Sequence, residues 1–176
     1  AMTNILAFVA AAQMLSAMSN SLPNERSLAA SVSAMTQLGI ALALLIALLD
    51  QFTKWWILAE VMRPPAFITL TPHLNLVVVW NRGVSFGILN QSSAWVPWFL
   101  SALTVAICLC LFIWLRRAQS KWLAVALVLI IGGALGNLVD RLRFGAVFDF
   151  LDVHLGVYHW PAFNVADSAI CVGAFL

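Results

Sequence analysis

Charge is what this sequence has least of. Lys, Arg, Asp and Glu make up 9% of its 176 residues, where a soluble domain carries about 25%. A chain so poor in charge cannot cover a solvated surface. With 63% apolar residues, it is excluded both as a soluble globular domain and as a disordered one. A net charge of +2 leaves no basic stripe, so nucleic acid is not expected as a partner. Cysteine is sparse as well. Cys108 and Cys110 share one apolar run and Cys171 lies in another, which reads as small apolar filler rather than a disulfide framework. His73, His154 and His159 show no ligand spacing with these thiols, so neither a metal nor a cofactor is expected. A Ser/His/Asp pattern and a phosphate-binding glycine loop are also missing.

Long apolar segments are what the chain has instead. A crossing takes about 20 mainly apolar residues. Leu38 to about Leu58, Ala94–Leu115 and Trp122 to about Val139 each supply one. A fourth apolar segment runs from near Val165 to Leu176 and covers about half a bilayer at about 1.5 Å per residue. Eight Trp suit the membrane–water interface. Arg116, Arg117 and Lys121 crowd the tight turn between the second and third spans, so the positive-inside rule places that turn in the cytoplasm. The loops of about Ala59–Ser93 and Arg141–Phe163 then lie outside. A β-branched, aromatic and apolar run predicts a short strand at Ala146–Val153, and Ile68–Leu70 and Leu76–Trp80 read as strands broken by Pro72 and Asn75. The expected fold is an all-α polytopic membrane protein, a four-transmembrane-helix bundle with a small extracytoplasmic β-cradle.

The first 37 residues stand apart. Asn4–Met18 is apolar but short for a span and reads as an interfacial helix or loose extension. It has the apolar core of a signal peptide without the leading positive charge. Asn20–Ser33 is polar and Ser-rich, a linker by composition. Residues 1–37 are thus an N-terminal extension and 38–176 a membrane-embedded domain.

Aspartate is the informative residue. Asp50, Asp140, Asp149, Asp152 and Asp167 all lie in or beside apolar sequence, and intramembrane acids are functional candidates by default. In a strand, period two puts Asp149 on an otherwise apolar face and Asp152 on the other. Asp167 follows Asn164 by three at the mouth of the last helix, where Asn164 would be the N-cap and the acid is favoured by the dipole. Asp140 follows Asn137 by three and precedes Arg141, a pattern for a structural network. Asp50 and Lys54 have the i, i+4 spacing of an ion pair. Gly132 and Gly136 have the small-xxx-small spacing of close helix packing. Asn81-Arg82-Gly83 reads as a turn. Two acids brought close share a proton, one activating water and the other protonating a carbonyl or amine. Residue chemistry alone leaves an aspartic protease and a proton-coupled small membrane carrier both open. Four spans without an internal repeat are few for alternating access.

Five blocks in order narrow this: Leu49-Asp50-Gln51-Phe52-Thr53-Lys54, Asn81-Arg82-Gly83-Val84-Ser85-Phe86-Gly87, the run Gly132 to Arg141, Val147-Phe148-Asp149-Phe150-Leu151-Asp152, and Pro161 to Ser168 with Asn164-Val165-Ala166-Asp167. Over residues 38–176 they closely resemble the lipoprotein signal peptidase (signal peptidase II) family of bacteria. The Gly-x-Gly-Asp run of presenilin-type proteases does not occur. The resemblance implies an aspartic endopeptidase of the bacterial inner membrane with its site at the outer face. It would cut prolipoproteins before a diacylglyceryl-modified cysteine, with membrane lipid and globomycin-type inhibitors as further partners. By motif position the catalytic pair is Asp149 and Asp167. Asn81, Gly83, Asn137, Arg141 and Asn164 match residues that bind substrate or support the site, as do Asp50, Lys54 and Asp140. The resemblance also implies a fourth helix that completes its crossing and ends in a basic cytoplasmic tail, whereas this sequence stops at Leu176.

Overall fold

The computed structural model describes residues 25–83 and 95–176, with side chains from Thr36 onward. The stretch Asn4–Met18 and the Val84–Gly87 part of the second block lie outside the described residues. The chain divides into two units, Ala1–Met35 and Thr36–Leu176.

Helix α1 spans Glu25–Trp56. Residues 25–33, a linker by composition, are therefore helical, since their alanines and leucine favour a helix more than their serines oppose it. A π-helical turn, Ile57–Val61, extends α1, so the apolar stretch from Thr36 reaches Val61. Helix α2 is Val96–Leu115 and starts with Pro97 in its first turn, where a missing N–H costs nothing. Helix α3 is Lys121–Phe144, capped by the Ser120 side chain and ended by Gly145 at φ 69°. It runs five residues beyond the expected Val139 because Asp140 is paired with Lys54, which lets the helix carry its charges past the apolar run. Helix α4, Val165–Phe175, is 11 residues long.

Among the described residues, α1, α2 and α3 are long and apolar enough to cross a membrane. Their outer faces leave Leu48, Trp98 and Leu109 exposed, as lipid-facing helices do. Close approach replaces bulk inside the bundle. A Cβ on Gly132 would stand 2.7 Å from the Ala43 carbonyl oxygen, and Ala43, Leu115, Leu127, Val128 and Ile131 fill the space beside it.

The extramembrane loops build one antiparallel sheet, β1 (Ile68–Thr71), β2 (Leu74–Asn81), β3 (Val147–Leu155) and β4 (Tyr158–His159), in that order. Asn75 does not interrupt β2 as its residue type suggests; it is buried within the strand and donates to Asp152. Strand β4 was not legible in the sequence and follows the tight turn at Gly156, φ 61°. One extra residue in β2 between Leu76 and Val79 shifts its register on β3. Phe148 and Phe150 pack with Ile57, Met62 and Leu76, which seats the sheet on the end of α1.

Candidate active site

Phe163 sets the site. Its carbonyl accepts from the N–H groups of Phe150 and Leu151 at 3.1 and 2.9 Å, and its own N–H donates to Leu151 at 3.0 Å. This bridge brings the start of α4 beside β3. The next residue, Asn164, caps α4: its Oδ1 accepts from the Asp167 N–H at 2.9 Å, and Asp167 Oδ2 accepts from the Asn164 N–H at 3.3 Å. This reciprocal capping box fixes the Asp167 carboxylate at the helix mouth. Asn164 Nδ2 in turn donates to Asp149 Oδ1 at 2.7 Å and to Asn137 Oδ1 at 3.1 Å.

Asn137, on α3, completes the link by donating from Nδ2 to Asp167 Oδ1 at 2.7 Å. Asn81, at the end of β2, donates to Asp149 Oδ2 at 3.0 Å while its Oδ1 accepts from the Gly83 N–H at 2.8 Å. Gly83 adopts φ 82°, a conformation glycine takes without strain. Asp149 is buried to 1% exposure. Burial, then the neighbouring charge of Asp167, pushes its carboxyl up to about 6, partly offset by the Asn81 and Asn164 hydrogen bonds and by Lys54.

Beneath lies a second charged layer. Lys54 Nζ stands 2.9 Å from Asp50 Oδ2, 2.8 Å from Asp140 Oδ2 and 3.1 Å from Asn137 Oδ1. Asp50 also accepts from the Ala166 N–H, and Asp140 from the Phe148 N–H. These buried ions are paired and hydrogen-bonded on every side, the condition under which buried charge is tolerated. Arg141 is half-buried within electrostatic range of Asp167, Asp149 and Asp140, and its Nε has no hydrogen-bond partner.

The structure thus gathers Asp149, Asp167, Asn81, Asn137, Asn164, Asp50, Lys54 and Asp140 into one hydrogen-bonded network, with Arg141 at its side and Gly83 behind Asn81. Asp152 stands apart on the other sheet face, bound by Asn75 at 2.8 Å and by His159 at 2.8 Å. Sequence reasoning did not single out Gln51 as a site residue. It donates to Asp140 at 2.8 Å and to the Gly136 carbonyl at 3.1 Å, and its one signal was a polar residue beside Asp50 in an apolar run.

The family profile described as Signal peptidase (SPase) II matches residues 42–176. The chain belongs to the signal peptidase II family. This family is one of aspartic proteases. A lipoprotein signal peptidase of Polynucleobacter necessarius subsp. necessarius is 46% identical over 139 residues, covering 78% of this chain and 84% of the relative. One from Burkholderia mallei is 44% identical over 141 residues, covering 78% and 82%. A bacterial membrane enzyme solved by the in meso method at 1.9 Å resolution superposes with a TM-score of 0.67 at 31% identity, covering 79% of this chain and 88% of that one. Family and fold together make this a multi-pass membrane protein of the signal peptidase II type. Neither set of matches favours the carrier alternative.

Proposed function

We propose that this chain is the membrane aspartic endopeptidase that removes the signal peptide from prolipoproteins by cutting before a diacylglyceryl-modified cysteine. Asp149 and Asp167 form its catalytic pair. The observation that carries the reading is the shared pair of amides: Asn164 binds the Asp149 carboxylate, Asn137 binds that of Asp167, and the two amides bind each other, so the two acids are held as one unit.

The pair shares one proton and holds a water. The ionised carboxylate takes a proton from that water as its oxygen bonds to the scissile carbonyl carbon, while the protonated carboxyl donates to the carbonyl oxygen. Collapse of the resulting gem-diol breaks the C–N bond, and a carboxyl proton passes to the leaving cysteine amine. Asn81 orients Asp149, and its second amide hydrogen remains for a substrate carbonyl. The unpartnered Arg141 Nε is a further donor to the substrate backbone. Lys54, Asp50 and Asp140 hold α1, α3 and the start of α4 in register beneath the pair.

Four apolar helices form the membrane bundle, with the sheet as an outer cradle over the pair. The bundle lies in the bacterial inner membrane, and the arginine-rich α2–α3 turn faces the cytoplasm. The acyl chains of the substrate stay in lipid while the peptide enters between cradle and helices, and cyclic peptides of the globomycin type compete for that place.

The test is cleavage of a purified diacylglyceryl-modified prolipoprotein by this chain and by its Asp149→Asn variant. Release of a polypeptide beginning at the lipidated cysteine by the unaltered chain alone supports the reading. Equal cleavage by both sinks it, and proton flux without cleavage in liposomes would revive the carrier.

A further inference from the structure

Away from the Asp149–Asp167 pair, and sharing only Gln51, Lys54 and Asp140 with the charged layer beneath it, a cavity of about 270 Å³ opens between the sheet-side ends of α1 and α3. Its buried lining includes Phe148, Lys54 and Asp140, and its exposed lining includes Trp55, Phe144 and two arginines, Arg63 and Arg143. Apolar aromatic walls beside fixed positive charge, at the ends of two spans, make a surface suited to the boundary between acyl chains and headgroups.

Neither guanidinium forms an ion pair among the described residues. The ion pairs among the described residues are Lys54–Asp50, Lys54–Asp140 and His159–Asp152. Asp140, the acid in the cavity wall, has Gln51 on one oxygen, and Lys54 and the Phe148 N–H on the other. Glu60, the acid nearest Arg63 along the chain, joins no ion pair among the described residues. Arg143 lays its guanidinium 5.0 Å from the Phe144 ring centre, a cation–π contact that positions the charge beside the aromatic wall.

We propose that this cavity binds an anionic phosphoglyceride, Arg63 and Arg143 clamping its phosphate while Trp55 and Phe144 flank the glycerol and first acyl carbons. Guanidinium forks match phosphate oxygens in pairs. A headgroup with net negative charge satisfies two cations that no acid pairs among the described residues better than a zwitterion does, since they repel its ammonium. The buried Asp140 keeps the phosphate at the outer lip rather than on the cavity floor. The inference is independent of which residues cut peptide.

The experiment is a native mass spectrometry titration of the full chain in detergent with dioleoyl phosphatidylglycerol and, separately, dioleoyl phosphatidylcholine. The expected result is binding of phosphatidylglycerol about thirtyfold tighter, the scale two interfacial cations provide. The preference disappears in Arg63→Gln/Arg143→Gln and survives in Arg116→Gln/Arg117→Gln, which alters cations at the opposite ends of the spans. Millimolar inorganic phosphate leaves the bound lipid in place. Equal binding of the two lipids, an undiminished preference in the first double variant, or full displacement by phosphate would each overturn the proposal. If the double variant does not fold, the single Arg143→Gln, at an exposed position, carries the test with a loss of about fivefold; no loss there overturns it equally.

Discussion

Asn164 places its amide nitrogen 2.7 Å from Asp149 Oδ1, so the residue that caps the last helix also fixes a carboxylate on the sheet. Its amide oxygen meanwhile accepts from the Asp167 N–H. One side chain thus sets the relative position of two acids that lie eighteen residues apart in the sequence. Asn164→Ala leaves both acids present but removes this tie. The expected outcome is a fall in kcat of at least about tenfold, since catalytic geometry tolerates little displacement; single-turnover cleavage by the purified variant checks it.

Asp149→Asn and Asp167→Asn each abolish cleavage while the protein still accumulates in the membrane. Asp152→Asn retains substantial activity, because Asp152 faces Asn75 and His159 rather than the pair. Immunoblots of total and processed prolipoprotein in cells carrying each variant separate these outcomes.

The pH dependence follows from Asp149. Its carboxyl is raised to about 6, and the active pair must keep one proton. The kcat/KM of the free enzyme therefore falls as pH rises through a limb near 6. The Asn81 hydrogen bond favours the ionised form, so Asn81→Ala moves that limb to higher pH. A limb that stays in place while kcat/KM drops would show that Asn81 serves only the substrate.

Asp152 acts on stability with the opposite sign. Hydrogen bonds from Asn75 and then His159 hold its carboxyl below the ordinary value. An acid with a lowered folded pKa contributes stability above its unfolded value and loses it as pH falls through the folded one. Asp152→Asn is expected to flatten the acid-side loss of thermal stability, read as Tm from pH 6 down to pH 3.

Lys54→Met strips two buried carboxylates of their shared cation. Breaking one side of a buried network costs about 3–5 kcal/mol, so the variant should accumulate poorly or unfold at markedly lower temperature. The triple change Asp50→Leu/Lys54→Met/Asp140→Leu, which leaves no charge behind, should recover part of that stability without recovering activity.

Gly133→Ala tests the contact of α3 with α4. The added methyl would collide with the Ala166 carbonyl oxygen and meet Ile170, pushing away the first turn of α4, which carries Asp167. Reduced cleavage with near-normal accumulation is the expected pattern, read from cleavage assays and membrane immunoblots of the same cells.

Membrane embedding, the three long spans and the carboxylates were legible in the sequence because hydropathy and charge are local properties. A charge-poor chain with about 20-residue apolar runs has few ways to fold other than in a bilayer. The Asn164–Asp167 cap and the Asp50–Lys54 pair were equally readable, since helical spacing of three or four fixes a neighbour without reference to the rest of the chain. The tertiary structure decided what spacing cannot carry. Asn75 and Asn81 are an even number of residues apart, so period two alone puts them on one face. The extra residue between Leu76 and Val79 turns them to opposite faces, one serving Asp152 and the other Asp149. The meeting of Asp149 with Asp167 through Asn164 and Asn137, and of Lys54 with Asp140, depends on where the helices and the sheet come to rest. Such contacts between distant segments arise from packing across the whole bundle, which no local pattern encodes.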